Sequence, residues 1–234
     1  MKTVRQWFLD LFRLLFPPQC VACGMMLEED EECLCKLCLE TLPRTQLHLI
    51  KHNYLEVMLR ARFPLQRITA FFYHKKEKRF DHLIHQIKYN GRKDAGIYMG
   101  KLMAEELGKD GFFKGVEVIV PVPLHPHRQR KRGYNQSDCL AQGISIVTGI
   151  PVDTTSLIRS ADNQTQVHQS RLERLRNVKG IFRLTRPEAF TGKHILLVDD
   201  VLTTGSTISA CAEAFHEVED IHISVLTLSA VDRH

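Results

Sequence analysis

The sequence predicts an α/β fold: a parallel sheet flanked by helices, with a small N-terminal metal-binding module ahead of it. Three observations carry this. ILLV (195–198) is a continuous apolar run, as expected of a strand covered on both faces. Stretches with apolar residues at three- and four-residue spacing lie between such runs, and strands alternating with helices imply a parallel sheet. Two C-x-x-C pairs crowd into residues 20–38, before the alternation begins.

In chain order, MKTVRQWFLDLFRLLF (1–16) is broken by Asp10 and Arg13 and lacks a small-residue cleavage site. It is too short and too charged to span a bilayer, which takes about 20 apolar residues. An amphipathic helix is expected, packed on the body of the protein or lying on a membrane surface. The N-terminal module is expected over 1–43 and the main domain over 44–234. LHLIKHNYLEVMLRARF (47–63) looks helical with weak periodicity, and ITAFFY (68–73) reads as a strand. Residues 80–89 and 94–108 are expected as helices, and VEVIVPVP (116–123) as a strand closed by prolines. A helix over 135–149 opens on Asn135 or Ser137, another covers 205–218, and a strand covers 222–230. The polar stretch between Leu157 and Phe182 reads as a flap.

The chain has 234 residues, 44% hydrophobic and 25% charged, with net charge +5, which argues against disorder and permits anionic partners. Residues 124–134, LHPHRQRKRGY, read as a loop carrying Arg128, Arg130, Lys131 and Arg132 and no acid. EEDEE (28–32) reads as a solvated face.

In HILLVDDVLTTGSTI (194–208) two acids and four hydroxyl residues crowd the point where a buried strand gives way to a helix. Ligands of open α/β sheets sit there, at the carboxyl ends of strands. Unpaired amides at a helix N-terminus attract phosphate, and a glycine lets the backbone approach it. Thr203, Thr204, Gly205, Ser206 and Thr207, with Val201 and Leu202, form the expected phosphate loop. Asp199 and Asp200 would repel a phosphate but suit the hydroxyls of an attached ribose and a nearby Mg²⁺. The pattern therefore calls for a ribose 5-phosphate unit. No G-x-x-x-x-G-K-[ST] or G-x-G-x-x-G sequence is present to support a P-loop ATPase or a dinucleotide fold.

ILLVDDVLTTGST resembles the ribose-5-phosphate loop of type I phosphoribosyltransferases, which bind 5-phosphoribosyl 1-pyrophosphate (PRPP). PVPLHPHRQRKRGYNQS (121–137), a flap with Asn163, Gln166, Arg171, Arg174 and Asn177, and the N-terminal C-x-x-C pair resemble the ComF family of competence-associated proteins. Together they cover almost the whole chain. The resemblance implies a type I phosphoribosyltransferase-like sheet, with Leu124, His125, Arg128, Arg130, Lys131, Arg132 and Lys88 toward pyrophosphate or DNA. It also implies a role in natural transformation, handling incoming single-stranded DNA beside a DNA-translocating helicase. The alternative is a stand-alone transferase that moves ribose 5-phosphate from PRPP to a nitrogenous base. The sequence leaves catalysis undecided and offers no acceptor-binding residue.

Cys20, Cys23, Cys35 and Cys38 form two knuckles separated by eleven residues, enough for a closed tetrahedral S₄ zinc site that holds structure and does not catalyse. Cys33 is a substitute ligand candidate that belongs to no C-x-x-C pair, and Cys139 and Cys211 are expected as buried thiols on helices. With residues 1–16 read as a packed amphipathic helix, a cytoplasmic location is expected, and in a reducing compartment such cysteine clusters mean metal or redox chemistry before disulfides.

Overall fold

The structure is a computed structural model that describes residues 17–74, 78–159 and 180–231. The expected helix over 1–16 and the five flap residues lie outside these. The sheet has four strands: β1 (Leu65–His74), β2 (Val118–Pro121), β5 (His194–Leu202) and β6 (His222–Val231). Their spatial order is β1-β6-β5-β2, and every neighbouring pair is parallel. The predicted parallel sheet flanked by helices is thus present, with the N-terminal cysteine module attached.

Successive residues of β5 point to opposite faces, so its apolar run serves two cores. Leu196 and Val198 pack with α3 (Lys78–Tyr89), α4 (Lys93–Gly108), α6 (Gln136–Thr148) and the N-terminal module, including α1 (Lys36–Glu40). Ile195 and Leu197 pack with α2 (Tyr54–Arg60) and α7 (Ser206–Glu213). Helices α4 and α6 touch backbone to backbone. A Cβ on Gly100 would come 2.2 Å from the Leu140 carbonyl oxygen, so only glycine permits that approach.

Several elements differ from expectation. Residues 124–134 are not a loop: α5 (Pro126–Arg132) fills them, with Pro126 in its first turn, His125 as cap and Gly133 left-handed at φ +80°. Proline in the first turn and glycine just past the end are helix punctuation, and the three basic residues of the last turn suit the helix dipole. The expected 205–218 helix stops at Glu213. Beyond it the chain tightens into i→i+3 turns that still bury Phe215 and Val218 before β6. The weakly periodic 47–63 stretch splits into a 3₁₀ turn, Leu47–Leu49, and α2, where Asn53 Oδ1 accepts from the Leu55 and Glu56 amides. The flap stretch begins and ends in an antiparallel ribbon, β3 (Leu157–Arg159) with β4 (Phe182–Leu184).

Candidate functional site

Strand β5 does not end at Val198 but carries both aspartates to its carboxyl end. Asp199 and Asp200 are only 8% and 7% exposed, so neither is dissolved in solvent. Asp199 Oδ1 accepts from Ser137 Oγ at 3.2 Å and from the Asp200 amide at 2.8 Å. Ser137 is held in the first turn of α6, where Asn135 Oδ1 accepts from the Ser137 amide. Asn135 in turn donates to the Val122 carbonyl beyond β2. The cap of α6 thereby fixes an acid on a different strand.

Asp200 Oδ2 lies 3.1 Å from Lys88 Nζ. The pair is an ion contact without hydrogen-bond geometry, because that buried oxygen has no hydrogen-bond partner. Burial, then the neighbouring Asp200, pushes the Asp199 carboxyl up, to about 7. Since the unfolded value is about 3.9, the charged form costs folding stability that is lost progressively as pH rises from about 4 to 7. Asp199→Asn is therefore expected to raise stability at pH 8 by at least about 1 kcal/mol, or about 2–4 °C in melting temperature. The gain should shrink as pH falls through 7 toward 4, and melting curves at several pH values check it.

After Leu202 the chain bends through Thr203, Thr204 and Gly205 into α7. Gly205 is left-handed, φ +75°, and a Cβ there would stand 2.6 Å from Leu59 Cδ2 of α2. Gly205→Ala meets both backbone strain and that clash, and is expected to cost about 2 kcal/mol, a drop of about 4–8 °C in melting temperature. Arg62, just beyond α2, donates from Nη1 to the Thr204 carbonyl and to Ser209 Oγ, both at 3.2 Å, bracing the bend. Thr204 and Ser206 hydroxyls lie 2.9 Å apart.

A cleft of about 250 Å³ opens between this bend and the chain leaving β2. Of the residues singled out from sequence, Asp199, Asp200, Val201, Thr203, Thr207, Lys88, Leu124, Arg128 and Arg132 line it. Leu202 is buried behind the bend, while Thr204, Gly205 and Ser206 belong to the bend outside that lining. Arg130 and Lys131 are exposed and outside the lining. His125 is also outside it, its Nδ1 accepting from the His127 amide as the α5 cap. The four-residue helical spacing of Arg128 and Arg132 selects them for the cleft.

Tyr89, Gln136 and Arg159 also line the cleft and were not legible in advance. Arg159 ends β3, with its guanidinium carbon 5.3 Å from the centre of the Phe182 ring on β4. Its Nε is buried without a hydrogen-bond partner, a donor without an acceptor. A three-residue strand carries too little periodicity to announce such a residue. Tyr134 is buried, with its hydroxyl donating to the Ile87 carbonyl, so it ties α3 to the basic segment.

At the N-terminal module, the Sγ atoms of Cys20, Cys23, Cys35 and Cys38 all lie within 4.8 Å of one another. Cys23 and Cys35 are 3.7 Å apart, close to the edge of about 3.8 Å that a tetrahedron with metal–sulfur bonds of about 2.3 Å requires. Cys35 caps α1 and Cys38 lies within it, so the helix N-terminus faces the thiols. Burial opposes ionisation of Cys20, but the Cys35, Cys23 and Ala22 amides outweigh it and bring that thiol down to about 7. Burial and the neighbouring thiols hold Cys38 far above the usual range. Cys33 is buried outside the tetrad. The four thiols can hold one metal ion with no open position.

A family model described as "Phosphoribosyl transferase domain" matches residues 131–232. Competence protein F of Haemophilus influenzae is 30% identical over 209 residues, 88% of this chain and 82% of that protein. The chain belongs to the ComF family. A second relative, DNA utilization protein YhgH of Salmonella typhimurium, is 37% identical over 134 residues. That match spans 56% of this chain and 58% of the relative, so the chain aligns with little more than half of it. Competence protein ComFC of Bacillus subtilis is 35% identical over 100 residues, 43% of this chain and 38% of that one. As a ComF protein, the chain carries a phosphoribosyltransferase-like domain whose acid pair and bend face the cleft.

Proposed function

We propose that the cleft binds PRPP or a close phosphoribosyl relative, and that the protein handles single-stranded DNA during natural transformation. One observation supports the first part most: two buried carboxylates lie in the C-terminal half of β5, ahead of a glycine bend into a helix, with Lys88, Arg128, Arg132 and Arg159 around the same cleft. In this reading the 5-phosphate sits at the amides and hydroxyls of Thr203–Thr207, including Val201 and Leu202 at the approach. The acids take the ribose hydroxyls, and the basic side chains take the pyrophosphate. Two buried carboxylates, one with an oxygen lacking any hydrogen-bond partner, suit a hard cation. A Mg²⁺ bound with the ligand would neutralise diphosphate charge there.

The DNA role draws on the names of the relatives, competence protein and DNA utilization protein. Arg130 and Lys131, exposed outside the cleft, extend its positive character along α5 and suit a phosphate backbone. The helicase partner rests on the family resemblance alone. The four thiols suit zinc in a structural role, and we place the module boundary near Pro43. No helix among the described residues is long and apolar enough to cross a membrane, and none of the seven cysteines is bridged. A cytoplasmic location agrees with free thiols.

Two titrations test the reading. PRPP with Mg²⁺ should bind by calorimetry, and a single strand should bind with an affinity that falls steeply as salt rises. Absence of PRPP binding removes the site assignment, and absence of strand binding at low salt removes the DNA role. Following pyrophosphate release from PRPP over a panel of bases separates a transferase from a binding protein.

A further inference from the structure

We infer that Tyr89 is a stacking ledge for a nucleobase at the mouth of the cleft, an inference that rests on the sugar-phosphate reading of that cleft. Tyr89 is the last residue of α3, next to the Lys88 that pairs with Asp200, and it lines the cleft. It is nevertheless 64% exposed. Among the described residues no other tyrosine or phenylalanine is left so uncovered: the rest are buried or half-buried, and the other exposed large apolar side chains are aliphatic. An aromatic ring kept out of the core and placed beside an anion-binding cleft offers a π-face that every base can use.

The ring is also held in place. Arg132 sets its guanidinium carbon 5.1 Å from the ring centre, within cation–π range, and is itself anchored by donating to Gln136 Oε1. His85, one helical turn earlier, places its ring 4.9 Å away, tilted by 45°. A braced ring loses little freedom when a base lands on it, which lowers the entropic cost of stacking. Arg132 then serves twice, as a wall of the anion cleft and as a support for the ledge. Tyr134, the aromatic of the basic segment, is buried, whereas the exposed ring comes from α3.

The base belongs either to a mononucleotide or to a nucleotide within a strand, and two arms separate these. In the first, thymidine 5′-monophosphate is compared with 2-deoxyribose 5-phosphate on wild type, Tyr89→Ala and Tyr89→Phe. In the second, oligothymidylate is compared with an abasic strand of the same length. In at least one arm the base should strengthen wild-type binding by about 5- to 150-fold, the range that stacking of about 1–3 kcal/mol gives. Tyr89→Ala should erase that advantage and Tyr89→Phe should keep it, read in each arm as the ratio of affinities for the base-bearing and base-free ligands. Tyr89 is exposed, so melting temperatures should match. The inference is overturned if neither arm shows a base-dependent advantage, or if the advantage survives Tyr89→Ala. If PRPP with Mg²⁺ binds none of the proteins but a Tyr89-dependent preference for bases persists, the ledge stands and the sugar-phosphate reading falls.

Discussion

Asp200→Ala is expected to weaken binding of PRPP with Mg²⁺ by about 100-fold or more, since it removes a carboxylate accepting charge-assisted hydrogen bonds worth about 1.5–3 kcal/mol each. The buried position matters. Asp200 is 7% exposed, so water cannot substitute for the missing oxygens as it would on the surface. The change also leaves Lys88, 21% exposed at its side chain, without its counter-ion. A freed Lys88 favours the anionic ligand, which works against the expected loss. A large loss therefore identifies a sugar or cation contact of the carboxylate, and general electrostatics would give the opposite sign. Calorimetry on wild type, Asp200→Ala and Asp200→Asn decides this, with melting temperatures reported alongside. Unchanged affinity in both variants would remove the acids from the site.

Loss of metal from the four-cysteine module should have the largest effect on stability. Cys38 is fully buried, and Cys20, Val21, Leu34 and Leu42 share one apolar core with Met99, Met103 and Leu140. The module also anchors through Arg44, next to its expected end, whose guanidinium contacts both carboxylate oxygens of Glu106 on α4, at 2.6 and 2.5 Å. Metal–thiolate bonding would add to that packing, and in small zinc peptides it is worth about 10–16 kcal/mol. Purified protein is expected to contain one equivalent of metal by elemental analysis. Chelation or Cys38→Ser should release it and lower the melting temperature by more than about 10 °C. Metal-free protein that melts at the same temperature would show that packing alone suffices.

How much of this was legible in the sequence depends on how each feature is encoded. The sheet was readable because ILLV in β5 is a continuous apolar run, a signal that needs no partner. The cysteine tetrad was readable because both knuckles are local. Helix α5 was misjudged as a loop: its seven residues are dominated by charge, and only Pro126 and Gly133 mark its ends. That error matters for the site, because helical spacing is what turns Arg128 and Arg132 to the cleft and leaves Arg130 and Lys131 outside. The ribbon of β3 and β4 was invisible, since three-residue strands joined across a long polar stretch have no periodicity to detect. Arg159 was missed with it. The role of Ser137 was also hidden, because its bond to Asp199 spans 62 positions and arises from the packing of α6 against β5.

The central claim is that the bend from Thr203 to Thr207 holds a phosphate while Asp199 and Asp200 hold the attached ribose. A crystal structure with PRPP and Mg²⁺ bound tests it most directly. The account predicts 5-phosphate oxygens within hydrogen-bond distance of amides in that bend, and ribose hydroxyls or the cation on the two carboxylates. Ligand bound at full occupancy elsewhere, with the bend empty and both acids still paired only to Lys88 and Ser137, would contradict it.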